Sequence, residues 1–246
     1  MLIMEKNPKS IQAEAFRTLR TNIQYTSFDE KIKMLLVTSA TPGEGKTTTA
    51  ANLALSIAET DSPVLLLDCD LRRPSLHKKF NISNGLGITD FLLGKASFEQ
   101  TVKIYKNKLF IMTAGTIPPN PSEMLSSNKL KNFLNEVSQQ FQMIIIDSPP
   151  VIPFTDAQIL STLADGVILV VASGETEKVM ALKSKELLVK VNAKILGVVL
   201  NKFKETKGKG YDYGYGYYKE YYEDEKDGEK LGKKSKTRAR KRSSGV

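Results

Sequence analysis

Six segments of the chain are rich in β-branched and aliphatic residues, with few polar positions between them. A strand that is buried on both faces of a parallel sheet has this near-continuous apolar character, whereas a strand with one face in water alternates apolar and polar residues. The sequence therefore predicts six buried strands, over residues 34–39, 64–67, 109–113, 143–146, 167–172 and 195–200.

Apolar residues at helical spacing fill several of the intervals between these strands. They predict amphipathic helices over 48–59, 127–140 and 176–191, and one more before the first strand, over 10–24, with Ser10 as its N-cap.

Alternating strands and helices favour a doubly wound α/β domain with a mostly parallel sheet. We therefore expect a helical segment at 1–30, an α/β domain at 31–206 and a disordered tail at 207–246, which contains a low-complexity tyrosine-rich stretch.

Composition limits the classes of protein to which the chain can belong. Of its 246 residues, 41% are hydrophobic, which is enough for a core and excludes disorder throughout. The single cysteine, Cys69, excludes an intramolecular disulfide and a cysteine-rich zinc site. The apolar runs are far shorter than the roughly 18 residues of a membrane helix, and the first nine residues lack the apolar stretch of a signal peptide. A cytoplasmic location is therefore expected.

More than half of the net charge of +9 lies at the C-terminal end. Residues 207–246 contain 12 basic and 7 acidic residues, a net charge of +5, and residues 230–246 contain eight basic residues and no acidic one. Such a run attracts nucleic acid or anionic lipid without sequence specificity. Because no groove-reading context accompanies it, we interpret it as a solvated end and predict no specific nucleic-acid partner.

A glycine-rich turn follows the first predicted strand and opens the first helix of the α/β domain. From Ala40 to Thr47 it reads A-T-P-G-E-G-K-T, a phosphate-binding P-loop in which alanine replaces the first glycine. Gly43 and Gly45 allow the backbone to curl around an anion at the positive end of a helix. Lys46 is predicted to contact the β- and γ-phosphates of a nucleotide, and the hydroxyl of Thr47 to bind Mg²⁺. The predicted nucleotide-binding residues are Pro42, Gly43, Glu44, Gly45, Lys46, Thr47, Thr48 and Asn201.

Carboxylates follow two other predicted strands. Asp68 and Asp70 stand two residues apart, which places both on one side of an extended chain. Asp147 ends another strand, the usual position of the acidic metal partner of a P-loop. Two adjacent carboxylates repel each other unless a cation or a proton lies between them, and Mg²⁺ would relieve that repulsion. Thr47, Asp70 and Asp147 form the predicted metal site, although the sequence leaves open whether Asp68 or Asp70 is the ligand.

Seven of the nine tyrosines fall within twelve residues near the C-terminus. Glycine and charged residues separate them, without any aliphatic side chain, so the stretch lacks the composition of a core segment. We therefore predict exposed hydroxyls that are available as phosphoryl acceptors, at Tyr211, Tyr213, Tyr215, Tyr217, Tyr218, Tyr221 and Tyr222. The alternatives are an adhesive low-complexity tail and a stacking platform for single-stranded nucleic acid.

Together these motifs resemble those of the bacterial tyrosine kinases. The segments 42–47, 68–72 and 147–150 are similar to the three Walker-type motifs of that family, and the tyrosine cluster is similar to its C-terminal phosphoacceptors. Glu14, Arg17 and Arg20 match its E-x-x-R-x-x-R oligomerisation motif. The likeness covers about residues 10–222 and is strongest to the cytoplasmic kinase subunits of Gram-positive capsule and exopolysaccharide systems.

The resemblance implies a P-loop NTPase fold of the MinD and ParA type and a protein tyrosine kinase that uses ATP and Mg²⁺. It implies that Lys46, Asp68 and Asp70 are catalytic, with Asp68 deprotonating the acceptor hydroxyl. It also implies a ring-like homo-oligomer, held by the segment 1–30, in which the tail of one subunit is phosphorylated at its neighbour's site and capsular or exopolysaccharide synthesis and export is regulated. The implied partners are a membrane-anchored activator of the polysaccharide co-polymerase type and a tyrosine phosphatase, with the kinase peripheral at the inner face of the membrane.

Several alternatives stay open at this point. A positioning ATPase of the MinD and ParA type shares these motifs, but Thr41 replaces its signature lysine. A GTPase would recognise guanine beside Asn201, but Lys204 stands where an aspartate is needed. A nucleotide-free scaffold is a third possibility. For the oligomerisation motif, an ion pair between Glu14 and Arg17 within one helix is the competing interpretation.

Overall fold

A computed structural model of the chain describes residues 2–26, 31–106 and 108–203. Its strands are β1 (Met34–Ser39), β2 (Val64–Asp68), β3 (Val102–Tyr105), β4 (Leu109–Met112), β5 (Met143–Asp147), β6 (Gly166–Ala172) and β7 (Ile195–Asn201). Its helices are α1 (Ile3–Lys6), α2 (Ile11–Tyr25), α3 (Lys46–Ala58), α4 (Leu76–Phe80), α5 (Ile88–Leu92), α6 (Phe98–Thr101), α7 (Pro121–Leu125), α8 (Asn128–Val137), α9 (Asp156–Ser161) and α10 (Lys178–Lys190).

The strands form one sheet in the order β3-β4-β2-β5-β1-β6-β7, in which every neighbouring pair is parallel except β3 and β4. The predicted α/β class with a mostly parallel sheet is therefore confirmed, and each of the six predicted strands is present with ends within one residue of the expected ones. The sequence analysis missed β3. This strand has only four residues, and it lies half-exposed at the edge of the sheet.

Register brings the carboxyl ends of the central strands together. Asp68 of β2 and Val37 of β1 are both Cα partners of Asp147, on opposite sides of β5. Because parallel strands end at the same edge of a sheet, the P-loop after β1 and the carboxylates of β2 and β5 meet there. The crossover order thus builds the candidate site from three separate parts of the sequence.

Helices cover the sheet on both faces and enclose two hydrophobic clusters. Leu53 and Ile57 of α3 belong to one cluster, and Phe133 of α8 and Leu188 of α10 belong to the other. The β7 strand departs from the prediction of burial on both faces. Its Val198 and Leu200 are 60% and 55% exposed, because β7 is an edge strand.

Two predicted helices illustrate what the apolar pattern does and does not fix. The Ser10 side chain accepts a hydrogen bond from the Ala13 amide at 3.2 Å, which confirms Ser10 as the N-cap of α2. Val179 and Leu182, in contrast, belong to the apolar pattern that predicted α10, yet they are 71% and 50% exposed.

The N-terminal helices pack against the α/β domain, so the residues that the structure describes form one compact unit. The division of the chain at residues 30 and 206 stays a prediction, and the tail at 207–246 lies outside the described residues. Within the described ranges, no helix has the length and apolar content that crossing a bilayer requires.

Candidate functional site

The loop between β1 and α3 has the backbone of a phosphate cradle. Gly43 and Gly45 have φ angles of +87° and +99°, in the left-handed region that favours glycine. Gly45 is the N-cap of α3, so the unpaired amides of the first helical turn lie at this loop. The loop and the helix start together supply the backbone donors that a phosphate needs.

Glu44 turns its side chain into the protein, where it is only 3% exposed. One carboxylate oxygen accepts a hydrogen bond from the Ala40 amide at 2.9 Å, and the other accepts from the hydroxyls of Thr41 at 2.8 Å and Thr176 at 2.7 Å. A buried carboxylate requires such donors. The Glu44 side chain therefore shapes the loop, and the sequence analysis missed Thr176 as its distant partner. That Glu44 belongs to the nucleotide-binding loop stays a prediction.

Lys46 is held between two carboxylates. Its ammonium Nζ lies 2.7 Å from Asp70 Oδ2 and 3.9 Å from Asp147 Oδ1. Burial alone would lower the pKa of Lys46, but the charges of Asp147 and Asp70 outweigh burial and raise it. Lys46 is therefore a fixed cation at the place where a P-loop lysine meets phosphate.

Asp147 is fully buried, and neither of its carboxylate oxygens has a hydrogen-bond partner among the described residues. Burial raises the pKa of Asp147 to about 6, although the charge of Lys46 opposes the shift. An unpartnered buried carboxylate is costly unless a further cation or a bound water satisfies it. Asp147 therefore has the orphaned acceptor oxygens that a hydrated Mg²⁺ ion would use.

Asp68 lies beneath the site. It is fully buried and accepts backbone hydrogen bonds from Asp70 at 3.2 Å, Ser75 at 3.2 Å and Leu76 at 3.0 Å. Burial and the neighbouring charge of Asp147 raise the pKa of Asp68 to about 8. These contacts organise the turn that follows β2, while the assignment of roles to Asp68 and Asp70 stays a prediction.

A cavity of about 570 Å³ opens over the P-loop, a size typical of small-molecule sites. All the predicted nucleotide-binding residues except Glu44 line it, and Asp70 lines it as well, whereas Asp68 and Asp147 do not. The lining also contains cations and apolar side chains outside the predicted nucleotide-binding and metal sets: Arg72, Arg73, Lys79, Lys202, Pro150, Pro153 and Phe154.

Arg72 is the most constrained of these cations. Its Nε and Nη2 donate to the two carboxylate oxygens of buried Asp156 at 2.8 and 3.0 Å, and Nη2 also donates to Ser122 at 2.9 Å. Its guanidinium carbon lies 4.2 Å from the ring centroid of Phe154. The partners of Arg72 lie 50 and 84 residues away along the chain, and no local pattern in the sequence reveals them.

Asn201, the last residue of β7, lines the end of the cavity that is opposite to Arg72. Its Nδ2 donates to the carbonyl of Glu44 at 2.8 Å, and a Cβ atom on Gly45 would lie 2.0 Å from this nitrogen. The P-loop therefore requires glycine at 45 both for its backbone conformation and for the close approach of Asn201.

The predicted oligomerisation residues are engaged within the chain. Arg17 donates to Glu59, the residue that follows α3, at 2.9 and 3.0 Å and to Glu14 at 3.2 Å, and Arg20 donates to the carbonyl of Ser56. The Glu14 bond is the ion pair within one helix that the sequence analysis gave as the competing interpretation. The bonds to Glu59 and Ser56 attach α2 to α3 and its C-terminal end, a role that the sequence analysis did not include. The seven predicted phosphoacceptor tyrosines lie outside the described residues.

Comparisons with known proteins agree with this geometry. A family profile described as "ParA: NUBPL iron-transfer P-loop NTPase" matches residues 31–220. The tyrosine-protein kinase YwqD of Bacillus subtilis (strain 168) is 46% identical over 213 residues, which are 86% of this chain and 90% of YwqD.

Two solved structures are similar in fold. The crystal structure of the chimerical protein CapA2B2 has a TM-score of 0.80 and 38% identity, over 83% of this chain and 90% of the chimera. The kinase domain of the Escherichia coli tyrosine kinase ETK has a TM-score of 0.77 and 29% identity, over 85% of this chain and 84% of that domain.

Proposed function

This chain belongs to the bacterial tyrosine kinases, which share the ParA-type P-loop NTPase fold, and we propose that it transfers phosphate from ATP to the tyrosine cluster of a second copy of itself. Its relatives are named tyrosine-protein kinases, which favours phosphoryl transfer over the positioning ATPase and the scaffold. The proposed acceptors are the seven tyrosines between 211 and 222.

One observation carries the proposal: a P-loop lysine, Lys46, is enclosed by one carboxylate that follows β2 and one that ends β5, at the wall of a nucleotide-sized cavity. Phosphoryl transfer needs positioning and charge neutralisation more than covalent help. The P-loop amides and Lys46 supply positive charge for the phosphates, and the adjacent carboxylates supply groups that bind metal or accept a proton.

Sheet order sets the direction in which ATP lies. The strands lie side by side in the spatial order β2, β5, β1, β6 and β7. Asp70 follows β2 and Asn201 ends β7, so the two residues stand at opposite ends of the cavity, with the P-loop after β1 between them. Because Lys46 reaches the β- and γ-phosphates and points to Asp70, the γ-phosphate lies toward β2 and β5. The base then lies toward Asn201.

The residues present fit a magnesium ion. No three histidine, cysteine, aspartate or glutamate side chains in the described ranges form a metal centre by themselves, so nucleotide oxygens and water have to complete the shell. Thr47, Asp70 and Asp147 are the residues proposed to hold the ion, and the orphaned oxygens of Asp147 support this set. Bound Mg²⁺ supplies neutralisation of phosphate charge.

In the proposed step, the phenolic oxygen of a tyrosine bonds to the γ-phosphorus, the bond from that phosphorus to the β,γ-bridging oxygen breaks, and ADP leaves. The phenolic proton passes to a carboxylate at the carboxyl end of β2, Asp68 or Asp70. Family resemblance assigns this proton to Asp68, whereas the geometry gives Asp70 the cavity-facing position. The variants Asp68→Asn and Asp70→Asn separate the two, because the true base variant loses turnover while binding of ATP is retained.

Transfer in trans within a ring-like homo-oligomer is supported by the family resemblance of Glu14, Arg17 and Arg20. The ten residues from Asn201 to Tyr211 span up to ~35 Å when extended, which is enough to reach a neighbouring subunit. Because the charged groups of the motif are paired within the chain, an assembly that uses them would exchange these contacts for intersubunit ones.

The proposed setting of the kinase is the regulation of capsular or exopolysaccharide synthesis and export at the inner face of the membrane. The proposed partners are a membrane-anchored activator of the polysaccharide co-polymerase type and a tyrosine phosphatase. The similarity to the kinase subunits of two-chain systems supports this setting.

The experiment that tests the proposal uses two full-length variants that differ in mass through a tag. The donor has phenylalanine at all seven tail tyrosines, and the acceptor is Lys46→Met with its tail intact. Each is incubated with γ-labelled ATP and Mg²⁺, alone and mixed, with and without the cytoplasmic part of the activator.

We expect label on the acceptor only in the mixture, at the tail tyrosines found by mass spectrometry. Label on Lys46→Met alone would exclude Lys46 from catalysis, and an unlabelled acceptor in every mixture would overturn the proposed reaction. The wild-type chain provides the positive control in both arms.

A further inference from the structure

One end of the cavity is built from groups that phosphate binding does not require. Pro150, Pro153 and Phe154 line this end, and all three come from the segment that follows β5. The ring of Phe154 is half-buried against the guanidinium of Arg72. An apolar wall with one cation across an aromatic face is suited to a second ring, because aromatic pairs and cation–π contacts both favour it.

The position of Arg72 is fixed from behind. Buried Asp156 accepts from its Nε and Nη2, and the Ser122 hydroxyl, which also donates to Asp156 at 2.6 Å, accepts from Nη2. The two Nη1 hydrogens have no acceptor among the residues that the structure describes. A guanidinium held in this way presents unused donors at the cavity wall without further loss of side-chain freedom.

The apolar wall lies at the γ-phosphate end. Phe154 follows β5 and Arg72 follows β2, the two strands toward which Lys46 points, whereas Asn201 and Lys202 stand at the far end beyond the P-loop. A nucleotide that lies across the P-loop therefore leaves the wall free for whatever receives the γ-phosphoryl group.

The rim at this end is positively charged. Arg73 and Lys79 line the cavity here together with Arg72. In the tail, acidic residues directly flank the tyrosines, with Asp212 between two of them and Glu220 before another pair. A cationic rim attracts such an acceptor and disfavours a basic one.

We propose that Phe154 and Pro153 form the binding slot for the acceptor tyrosine ring, with Arg72 as its positioning residue and with Arg73 and Lys79 selecting acidic flanking residues. This inference rests on the proposed phosphorylation of the tail. The substrate class of the slot is an extended peptide with a tyrosine next to aspartate or glutamate.

The test measures steady-state kinetics on a synthetic peptide of residues 207–222, with the full chain carrying phenylalanine at the seven tail tyrosines as the enzyme. Phe154→Ala, Phe154→Leu, Phe154→Tyr and Arg72→Lys are compared in that background. Ile104→Ala, which removes an exposed apolar side chain from the edge strand β3, is the matched control. Binding of a fluorescent ATP analogue to each variant reports whether the nucleotide site is intact.

We expect Phe154→Ala and Phe154→Leu to raise the KM for the peptide roughly three- to tenfold, the equivalent of one lost aromatic pair, with the KM for ATP unchanged. Phe154→Tyr retains the ring and keeps the KM close to that of the parent, and so does the control. Arg72→Lys loses the bidentate contact and raises the same KM. Replacing the acidic residues of the peptide with lysine raises it further.

An unchanged peptide KM in both Phe154→Ala and Phe154→Leu overturns the slot. A raised KM for ATP with an unchanged peptide KM also overturns it, because Phe154 would then contact the nucleotide. In both cases the parent enzyme still labels the peptide, so the proposed function survives. If the parent enzyme does not label the peptide, in contrast, both the proposed function and this inference are wrong.

Discussion

The carboxylate of Glu44 accepts a hydrogen bond of 2.7 Å from the hydroxyl of Thr176, across 132 positions of the chain. Thr176 lies between β6 and α10, and its hydroxyl oxygen also accepts from the Ala172 amide at 2.8 Å. The P-loop is thus tied to the strand beside β1 by a side chain that does not line the cavity. A loop that is already ordered loses less entropy when it binds phosphate.

Replacement of Thr176 by valine should therefore loosen the P-loop. The change removes a donor to Glu44 and an acceptor for the Ala172 amide, and we expect a loss of about 1–3 kcal/mol in the free energy of unfolding, together with weaker nucleotide binding. Thr176→Ser keeps the hydroxyl and is the matched control. Urea unfolding and titration with a fluorescent ATP analogue measure the two effects, and equal behaviour of the valine and serine variants would contradict the prediction.

Replacement of Asp147 by asparagine should stabilise the nucleotide-free protein but weaken its binding of ATP in the presence of Mg²⁺. Asp147→Asn removes a buried charge whose oxygens have no hydrogen-bond partner among the described residues, so the nucleotide-free protein should gain about 1 kcal/mol of unfolding free energy. The same change should abolish most of the increase in ATP affinity that Mg²⁺ produces. Thermal unfolding with and without ATP, in Mg²⁺ and in EDTA, measures both. An equal magnesium effect in wild type and variant would exclude Asp147 from the metal site.

The sequence predicts those parts of this fold that depend on local patterns. Near-continuous apolar runs identified six of the seven strands in the described ranges, and the glycine spacing identified the P-loop, because both patterns follow from backbone geometry and burial. The edge strand β3 was missed because four half-exposed residues carry too little pattern. Two sets of contacts depend on how distant loops pack, and no periodicity in the sequence predicts them. They are the hydrogen bonds that hold Arg72 to Asp156 and Ser122, and the bond from Thr176 to Glu44.

The ion pair of Arg17 with Glu59 allows the intrachain role of the oligomerisation motif to be measured. The guanidinium contacts both carboxylate oxygens, at 2.9 and 3.0 Å, and the pair is partly exposed. A double-mutant cycle with Arg17→Ala and Glu59→Gln should give a coupling energy of about 0.5–1 kcal/mol. Because the pair lies within one chain, the coupling should not depend on protein concentration. A coupling that disappears on dilution below the assembly concentration would assign the pair to an interface instead.

A second polar cluster should make stability depend on pH at both ends of the scale. The carboxylate of Glu5 accepts from the Tyr105 hydroxyl at 2.8 Å and from Lys106. Burial alone would raise the pKa of Glu5, but the bonds from Lys106 and Tyr105 outweigh it and lower the pKa. Burial and the bond to Glu5 raise the pKa of Tyr105 to about 12.

The two shifts have opposite consequences for the contribution of this cluster. The depressed pKa of Glu5 gives stabilisation that is present above its unfolded pKa of about 4.3 and is lost as the pH falls through the folded value. The raised pKa of Tyr105 gives stabilisation that is complete below pH ~10 and is lost as the pH rises toward 12. We expect Tyr105→Phe to cost about 1 kcal/mol between pH 5 and 10, and less outside that window. Tyr25→Phe, at an exposed position, is the control; a cost that does not change with pH would contradict the assignment.

Gly43 and Gly45 provide a matched pair for separating backbone strain from steric exclusion in the P-loop. Both have positive φ, but a Cβ at 43 would meet nothing within 4 Å, whereas a Cβ at 45 would lie 2.0 Å from Asn201 Nδ2. Gly43→Ala should therefore cost only the left-handed strain of about 1–2 kcal/mol, and Gly45→Ala should cost more, because Asn201 must also leave the Glu44 carbonyl. Asn201→Ala removes the side chain that the new Cβ would meet. The double variant Gly45→Ala/Asn201→Ala should therefore lose less unfolding free energy than the sum of the losses of the two single variants. In Gly43→Ala/Asn201→Ala, the losses of the two single variants should add. Additivity in both pairs, measured by urea unfolding without nucleotide, would show that Asn201 does not impose glycine at 45.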